Sequence, residues 1–291
     1  MFEGSIVALV TPFKNDRVDE DSLRKLVEFH AQNGTFAIVP CGTTGESATL
    51  SHDEHERVIE VVIDQARGRM PVIAGTGSNC TKEAISLTKH AAGAGAEATL
   101  QVAPYYNRPT QAGLYEHFKA IAEATSLAVI LYNIPGRTGV NIEPETIARL
   151  AADCKNIVAV KEASGNLSQI TNIKSLCPDN FEILSGDDAL TLPVLSIGGV
   201  GVISVAANIV PHNISLMVKE FRNGNVEKAR EIHYKLLPLM KALFLETNPI
   251  PLKTAMGLLG MCDSQLRLPM SKMSDENTAK LKLALKQYGL L

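Results

Sequence analysis

A chain of 291 residues, 45% hydrophobic with 21 glycines and 14 prolines, can bury a sizeable core as one large domain or two smaller ones. Its formal charge of −3, from 28 basic against 31 acidic residues with no basic block, offers no electrostatic footprint for nucleic acid or an anionic membrane. No apolar run approaches the ~20 residues of a membrane span, and "MFEGSIVALVTPF" lacks the basic opening and cleavage site of a signal peptide, so the cytoplasm is the expected compartment.

In chain order, eight short β-like runs end in Gly, Thr, Ser, Asn or Pro. They are "SIVALV" (5 to 10), "FAIVPCG" (36 to 42), "PVIAGTG" (71 to 77), "ATLQVAP" (98 to 104), "AVILYNIP" (128 to 135), "IVAVKEA" (157 to 163), "FEILSGD" (181 to 187) and "GVGVISVAAN" (199 to 208). Their starts lie 18 to 35 residues apart, and amphipathic segments fill the intervals. In "SHDEHERVIEVVIDQARG", Ser51 with Glu54 makes a capping box, Val58, Ile59, Val62, Ile63 and Ala66 form an apolar stripe, and Gly68 ends the predicted helix. Runs apolar on both faces belong to a parallel sheet covered by helices, and eight βα units predict an α/β fold, the (β/α)8 TIM barrel. An open doubly wound sheet is the alternative, weakened because neither "GTGSNC" nor "GAGAEA" completes the dinucleotide fingerprint. The barrel is expected over residues 1–210. Residues 211–291 should add C-terminal helices packed on it rather than an independent domain, with turns at "TNPIP" (247 to 251) and "LRLPM" (266 to 270). The five cysteines, at 41, 80, 154, 177 and 262, are odd in number and scattered, hence reduced thiols rather than a disulfide framework or zinc site.

The sixth run, "NIVAVKEASGN", places Lys161 where a buried strand ends, which in such a barrel is the mouth that holds the active site. A lysine enclosed there loses hydration of its ammonium form, leaving a fraction of free amine able to attack a carbonyl. That is Schiff-base chemistry, against which stands a structural ion pair with Glu162 or Asp187. Tyr132, ending the fifth run, suits a proton shuttle or a simple bond to a carbonyl. The "GTTGES" loop (42 to 47) is too short for a nucleotide motif but suits a small carboxylate, and Arg137 in "GRTG" suits a second one. Either is equally compatible with a well-bonded turn.

"GTTGESATL", "PYYNRP", "YNIPGRTG", "VKEASGN", "SGDDA", "GVISV" and "NPIP" stand in the order and spacing of the dihydrodipicolinate synthase and N-acetylneuraminate lyase family, which the chain resembles over almost its whole length. Arg137 and the Thr43–Thr44 pair resemble the synthase branch; the sialic acid lyases have a non-arginine pair after "YNIP" and Ser-Thr in the loop. The resemblance implies condensation of pyruvate with L-aspartate 4-semialdehyde to 4-hydroxy-tetrahydrodipicolinate, in the biosynthesis of lysine and diaminopimelate. Lys161 would form the imine, Thr43 and Thr44 would hold the pyruvate carboxylate, and Gly186 and Ile203 would line the pocket. Tyr132, Thr44 and Tyr106 would relay protons, Tyr106 reaching in from a neighbouring subunit, and Arg137 would hold the semialdehyde carboxylate. No metal or organic cofactor is implied, because the lysine is the electron sink. The resemblance further implies a homotetramer built as a dimer of dimers, although some members stop at dimers.

His52 and His55 share a helix face near Glu56, but not at H-E-x-x-H spacing, and on spacing alone two solvated histidines are the better reading than zinc. The resemblance changes that: in members inhibited by L-lysine, the matching effector positions are Ser47, Ala48, His52, His55, Asn79, Glu83 and Tyr105. Glu83 suits the effector's α-amino group, Asn79 and Tyr105 its carboxylate, and the histidines its side chain. "GDDA" (186 to 189) reads as helix capping by Asp187 and Asp188 rather than magnesium binding, and Asn248 as support near the mouth. Two other functions remain open at this level: a pyruvate-dependent aldolase or lyase acting on a sugar acid, and a lysine-binding sensor without catalysis.

Overall fold

The structure, a computed structural model, describes residues 2–291. Each apolar run contains one parallel strand: β1 (Gly4–Ala8), β2 (Ala37–Val39), β3 (Ile73–Gly75), β4 (Ala98–Val102), β5 (Ala128–Asn133), β6 (Ile157–Glu162), β7 (Glu182–Ser185) and β8 (Gly201–Ser204). The strands are shorter than the runs because the chain turns early; Cys41, for example, adopts a left-handed φ of 55° just beyond β2. Their order in the sheet is β2-β1-β8-β7-β6-β5-β4-β3. The outer strands then meet at a parallel Ile38–Val72 bridge, where Ile38 N–H donates to the Pro71 carbonyl and Gly75 N–H to the Pro40 carbonyl, each at 3.0 Å. The sheet therefore closes as a barrel, and the open-sheet alternative falls.

Every second residue of each strand points inward. Ile6, Val39, Leu100, Ile130, Ala159 and Ile203 belong to the resulting interior cluster. Outside the barrel, Val7 and Val202 share a core with Leu236, Met240, Leu252, Met256 and Leu281. The helices Pro211–Arg222, Val226–Ala242, Ile250–Leu258 and Asp275–Tyr288 thus pack into the same apolar interior.

Two local features differ from expectation. The capping box on helix His52–Ala66 forms, with Glu54 N–H donating to Ser51 Oγ and Ser51 N–H to Glu54 Oε2. The left-handed cap, however, is Arg67 at φ 50°, with Gly68 following at φ 68°. A small hairpin, Phe13–Lys14 against Arg17–Val18, turns through Asn15 and Asp16 at φ 51° and 60°. Its strands are too short for periodicity to reveal, but the Asn-Asp pair supplies the positive φ angles that such a turn needs. Among the described residues no helix is long and apolar enough to cross a membrane.

Candidate active site

Lys161 and Tyr132 sit side by side because β6 and β5 pair with these two residues in register. Each lies two residues beyond an interior position, Ala159 and Ile130 respectively, so both side chains face into the barrel at the C-terminal ends of the strands. Lys161 is only 5% exposed, and its Nζ stands 4.2 Å from the centre of the Tyr132 ring. Among the described residues no carboxylate pairs with it. Glu162 is occupied by Asn133 Nδ2 (2.9 Å), Gln169 Nε2 (3.1 Å) and Ser164 N–H (2.7 Å). Asp187 caps Ala189 N–H at 2.8 Å. The ion-pair explanation for Lys161 therefore has no partner.

The loop after β2 brings Thr43 and Thr44 to the mouth. Thr44 is buried, and its Oγ1 accepts from Asn248 Nδ2 at 3.0 Å, which leaves the hydroxyl hydrogen free to donate. The Asn248 carbonyl in turn accepts from Arg137 Nη2 at 3.0 Å, so a single residue, two positions before helix Ile250–Leu258, holds both groups. Arg137 itself rides on the short turn Pro135–Thr138 that follows β5. Gly186 follows β7, where a Cβ would stand 2.5 Å from the Ala163 Cβ; only glycine fits. Ile203 is fully buried in β8 opposite Ile6 of β1.

Tyr106 stands apart from this group. It is 90% exposed, adopts φ 70°, and its phenol has no partner among the described residues. Asp187 caps as expected, whereas Asp188 does more than cap. Fully buried, it accepts from the Ser204 hydroxyl and from Val205 N–H and Ala206 N–H at 3.0 Å each, tying the end of β8 to β7. Burial pushes its carboxyl upward against these donors.

A cavity of about 480 Å³ adjoins the mouth. Its walls include Thr43, Arg137 and Asn248 together with Ser47, Ala48, His52, His55, Glu83 and Tyr105. Asn79 lies beside it, donating from Nδ2 to the Tyr105 carbonyl at 3.1 Å. The Ser78 hydroxyl and then His52, whose Nε2 is 2.8 Å away, hold the Glu83 carboxyl below its usual range. The two histidines are not equivalent: His52 is exposed, but His55 is buried, with Nε2 2.9 Å from the Gly75 carbonyl. Burial pulls His55 down to about 4, so it is neutral at pH 7 with its proton on Nε2 and a free Nδ1 acceptor. Two solvated histidines, preferred on spacing alone, is therefore wrong for one of them. Among the described residues no group of three His, Cys, Asp or Glu side chains converges to hold a metal ion.

Sequence reasoning missed the supports beneath the loop. Glu46 is buried at a left-handed φ of 53° and pairs with fully buried Lys253 at 2.5 Å. A lysine as the one charged residue of the largely apolar helix segment "IPLKTAMGL" was the available signal.

The model of the dihydrodipicolinate synthetase family matches residues 1–288. The chain belongs to that family. It is 58% identical to the 4-hydroxy-tetrahydrodipicolinate synthase of Syntrophus aciditrophicus, with all of both chains aligned. Among solved structures it is 47% identical to a Cyanidioschyzon merolae synthase with lysine bound, over 100% of this chain and 99% of that one, at a TM-score of 0.97. It is 45% identical to an Acinetobacter baumannii synthase complexed with pyruvate, over the whole of both chains, at the same TM-score of 0.97. Family membership makes the chain an enzyme, a Schiff-base lyase on a TIM barrel, as the motifs led us to expect.

Proposed function

We propose that the protein condenses pyruvate with L-aspartate 4-semialdehyde to give 4-hydroxy-tetrahydrodipicolinate. The observation that carries this reading is a buried lysine at the barrel mouth, beside a tyrosine and without a counter-ion among the described residues. Lys161 Nζ attacks the keto carbon of pyruvate, water leaves, and a protonated imine remains. The imine draws electrons from the methyl carbon, which loses a proton to become an enamine. That carbon attacks the aldehyde, whose oxygen takes up a proton. The substrate's own amine then adds to the imine carbon, expels Lys161 and closes the ring. Thr43 and Thr44 hold the pyruvate carboxylate, with Gly186 and Ile203 as the pocket wall; Arg137 holds the semialdehyde carboxylate. Tyr132 and Thr44 carry the protons with Tyr106 from a neighbouring copy. In support, Tyr106 is an exposed aromatic side chain in an unfavourable backbone conformation, a combination that favours an assigned task. Borohydride with pyruvate should add one adduct at Lys161, seen by peptide mass analysis, and none in Lys161→Ala; an adduct surviving at another lysine overturns the assignment.

The same reading extends to feedback inhibition by L-lysine at the cavity bearing Ser47, Ala48, His52, His55, Glu83 and Tyr105, with Asn79 beside it. Its support is an anionic Glu83 suited to an ammonium group, and the lysine-bound relative from Cyanidioschyzon merolae. The requirement for a second Tyr106 makes the working unit an oligomer, read as a homotetramer formed from two dimers. Five unpaired cysteines favour the reducing cytoplasm as its compartment.

A further inference from the structure

We propose that Lys253 is a positioning residue for the pyruvate-carboxylate loop, acting through Glu46. The inference rests on the reading of Thr43 and Thr44 given above. Lys253 is fully buried in helix Ile250–Leu258, far from any proposed chemistry in sequence. Its Nζ donates to the Gln265 carbonyl at 2.8 Å, pairs with Glu46 Oε1 at 2.5 Å and lies 4.1 Å from the centre of the Phe13 ring. Burial pulls the ammonium group downward, and the Glu46 carboxylate opposes that pull. The other Glu46 oxygen, Oε2, accepts Arg267 N–H at 3.2 Å. Arg267 completes the brace with bonds to the Thr49 carbonyl (3.0 Å) and to both Glu54 oxygens (2.7 and 2.6 Å).

These bonds act on a four-residue turn. Glu46 N–H donates to the Thr43 carbonyl at 3.1 Å, so the position of Glu46 sets that of Thr43 and Thr44. The Thr11 hydroxyl fixes the Gly45 carbonyl at 2.7 Å, and Asn248 fixes the Thr44 side chain. The loop "CGTTGES" has almost no apolar side chain with which to anchor itself. Apolar residues of similar volume would stabilise the fold as well as a buried ion pair or better, so stability alone does not explain the pair. An ion pair with one hydrogen-bonded ammonium fixes direction as well as depth. Here it holds a non-glycine residue at a left-handed φ and thereby aims two threonines at one anion.

The test uses the full-length protein, Lys253→Met, and the double variant Lys253→Met/Glu46→Gln, which leaves no stranded carboxylate. Pyruvate half-saturation is read from borohydride trapping at Lys161, and the semialdehyde KM from turnover. Both variants should raise pyruvate half-saturation roughly tenfold or more, since displacing a positioning group by about 1 Å costs up to ~100-fold. The semialdehyde KM should stay within about twofold. The double variant should recover most of the thermal stability that the single one loses, yet still bind pyruvate weakly. Wild-type half-saturation in a folded variant, or equal rises for both substrates, overturns the inference while leaving the assignment of Lys161 intact. Absence of an adduct in the wild-type protein overturns the assignment of the site, and this inference with it.

Discussion

Replacing Asn248 with Leu should separate stability from activity. Asn248 is 5% exposed; its Nδ2 makes one 3.0 Å bond to Thr44, while its Oδ1 is buried with no partner among the described residues. A neutral hydrogen bond contributes about 0.5–1.5 kcal/mol net, whereas a buried acceptor left unmade costs about 1–3 kcal/mol. A leucine of similar volume removes both terms but leaves the buried Thr44 hydroxyl without its partner, at a cost of about 1–3 kcal/mol, so the balance is near zero and Tm should stay within about 4 °C of wild type. Catalysis should fall. Thr44 loses the donor that orients its hydroxyl, and about 1 kcal/mol of lost orientation is roughly a fivefold fall in kcat. Arg137 is held by the backbone carbonyl of residue 248, which the substitution retains, so the semialdehyde KM should change by less than about twofold. The assay couples turnover to a reductase that consumes the product, with thermal unfolding measured alongside. Unchanged kcat in a fully folded variant would refute the claim that Asn248 orients Thr44; a fall in Tm of several degrees would refute the accounting of its buried oxygen.

Arg137→Ala should raise the semialdehyde KM roughly 10-fold to 100-fold, the range for one lost charged hydrogen bond, and the pyruvate KM far less; equal rises in steady-state kinetics would remove its role. Glu83→Gln should relieve inhibition by L-lysine while uninhibited turnover stays within about twofold, and inhibition unchanged in a dose series would mean that the effector binds elsewhere. Burial holds His30 down to about 3 from an ordinary 6.5, so its folded value lies below its unfolded one. The unfolded chain therefore takes the proton first: His30's contribution is fully present above about pH 6.5 and is lost as pH falls towards 3, by up to about 1.4 kcal/mol per pH unit. His30→Gln should flatten that slope in denaturant titrations between about pH 7 and 4, and an identical slope would exclude His30 as its source.

The barrel was legible because its signal is local and repeated: eight apolar runs at similar spacing, each bounded by turn residues. Lys161 was legible for the same reason, since a charged residue at the end of a buried run is conspicuous within a few positions. What was not legible is long-range pairing. Thr44 and Asn248 are 204 residues apart, and Glu46 and Arg267 are 221 apart. No period or motif connects such partners. The Phe13–Lys14 hairpin escaped because two-residue strands carry no alternation, yet it delivers the ring over which Lys253 and Arg267 lie. His55 was misjudged on spacing because helical neighbours three apart share a face without sharing its depth, and here only the second histidine reaches the Gly75 carbonyl.

The braced loop also constrains how an effector would act. Thr43 and Thr44 precede Glu46, and Ser47 and Ala48 follow it, so the two functional ends of the loop are separated by its most firmly held residue. Displacement at Ser47 or Ala48 is then resisted at Glu46 before it reaches the pyruvate anion site. The other route is less constrained: Tyr105 lines the cavity, and the phenol of its neighbour Tyr106 is exposed, with no partner among the described residues. An effector that moves Tyr105 would shift the proposed proton carrier Tyr106 rather than the proposed anion site, which requires only that the Tyr105–Tyr106 segment have two arrangements. L-Lysine should therefore lower kcat while leaving pyruvate half-saturation, read by borohydride trapping, within about twofold. If lysine instead raises pyruvate half-saturation in proportion to its concentration with kcat preserved, the loop is the route, and Glu46 is not the fixed point that the Lys253 ammonium and the Arg267 backbone N–H make it.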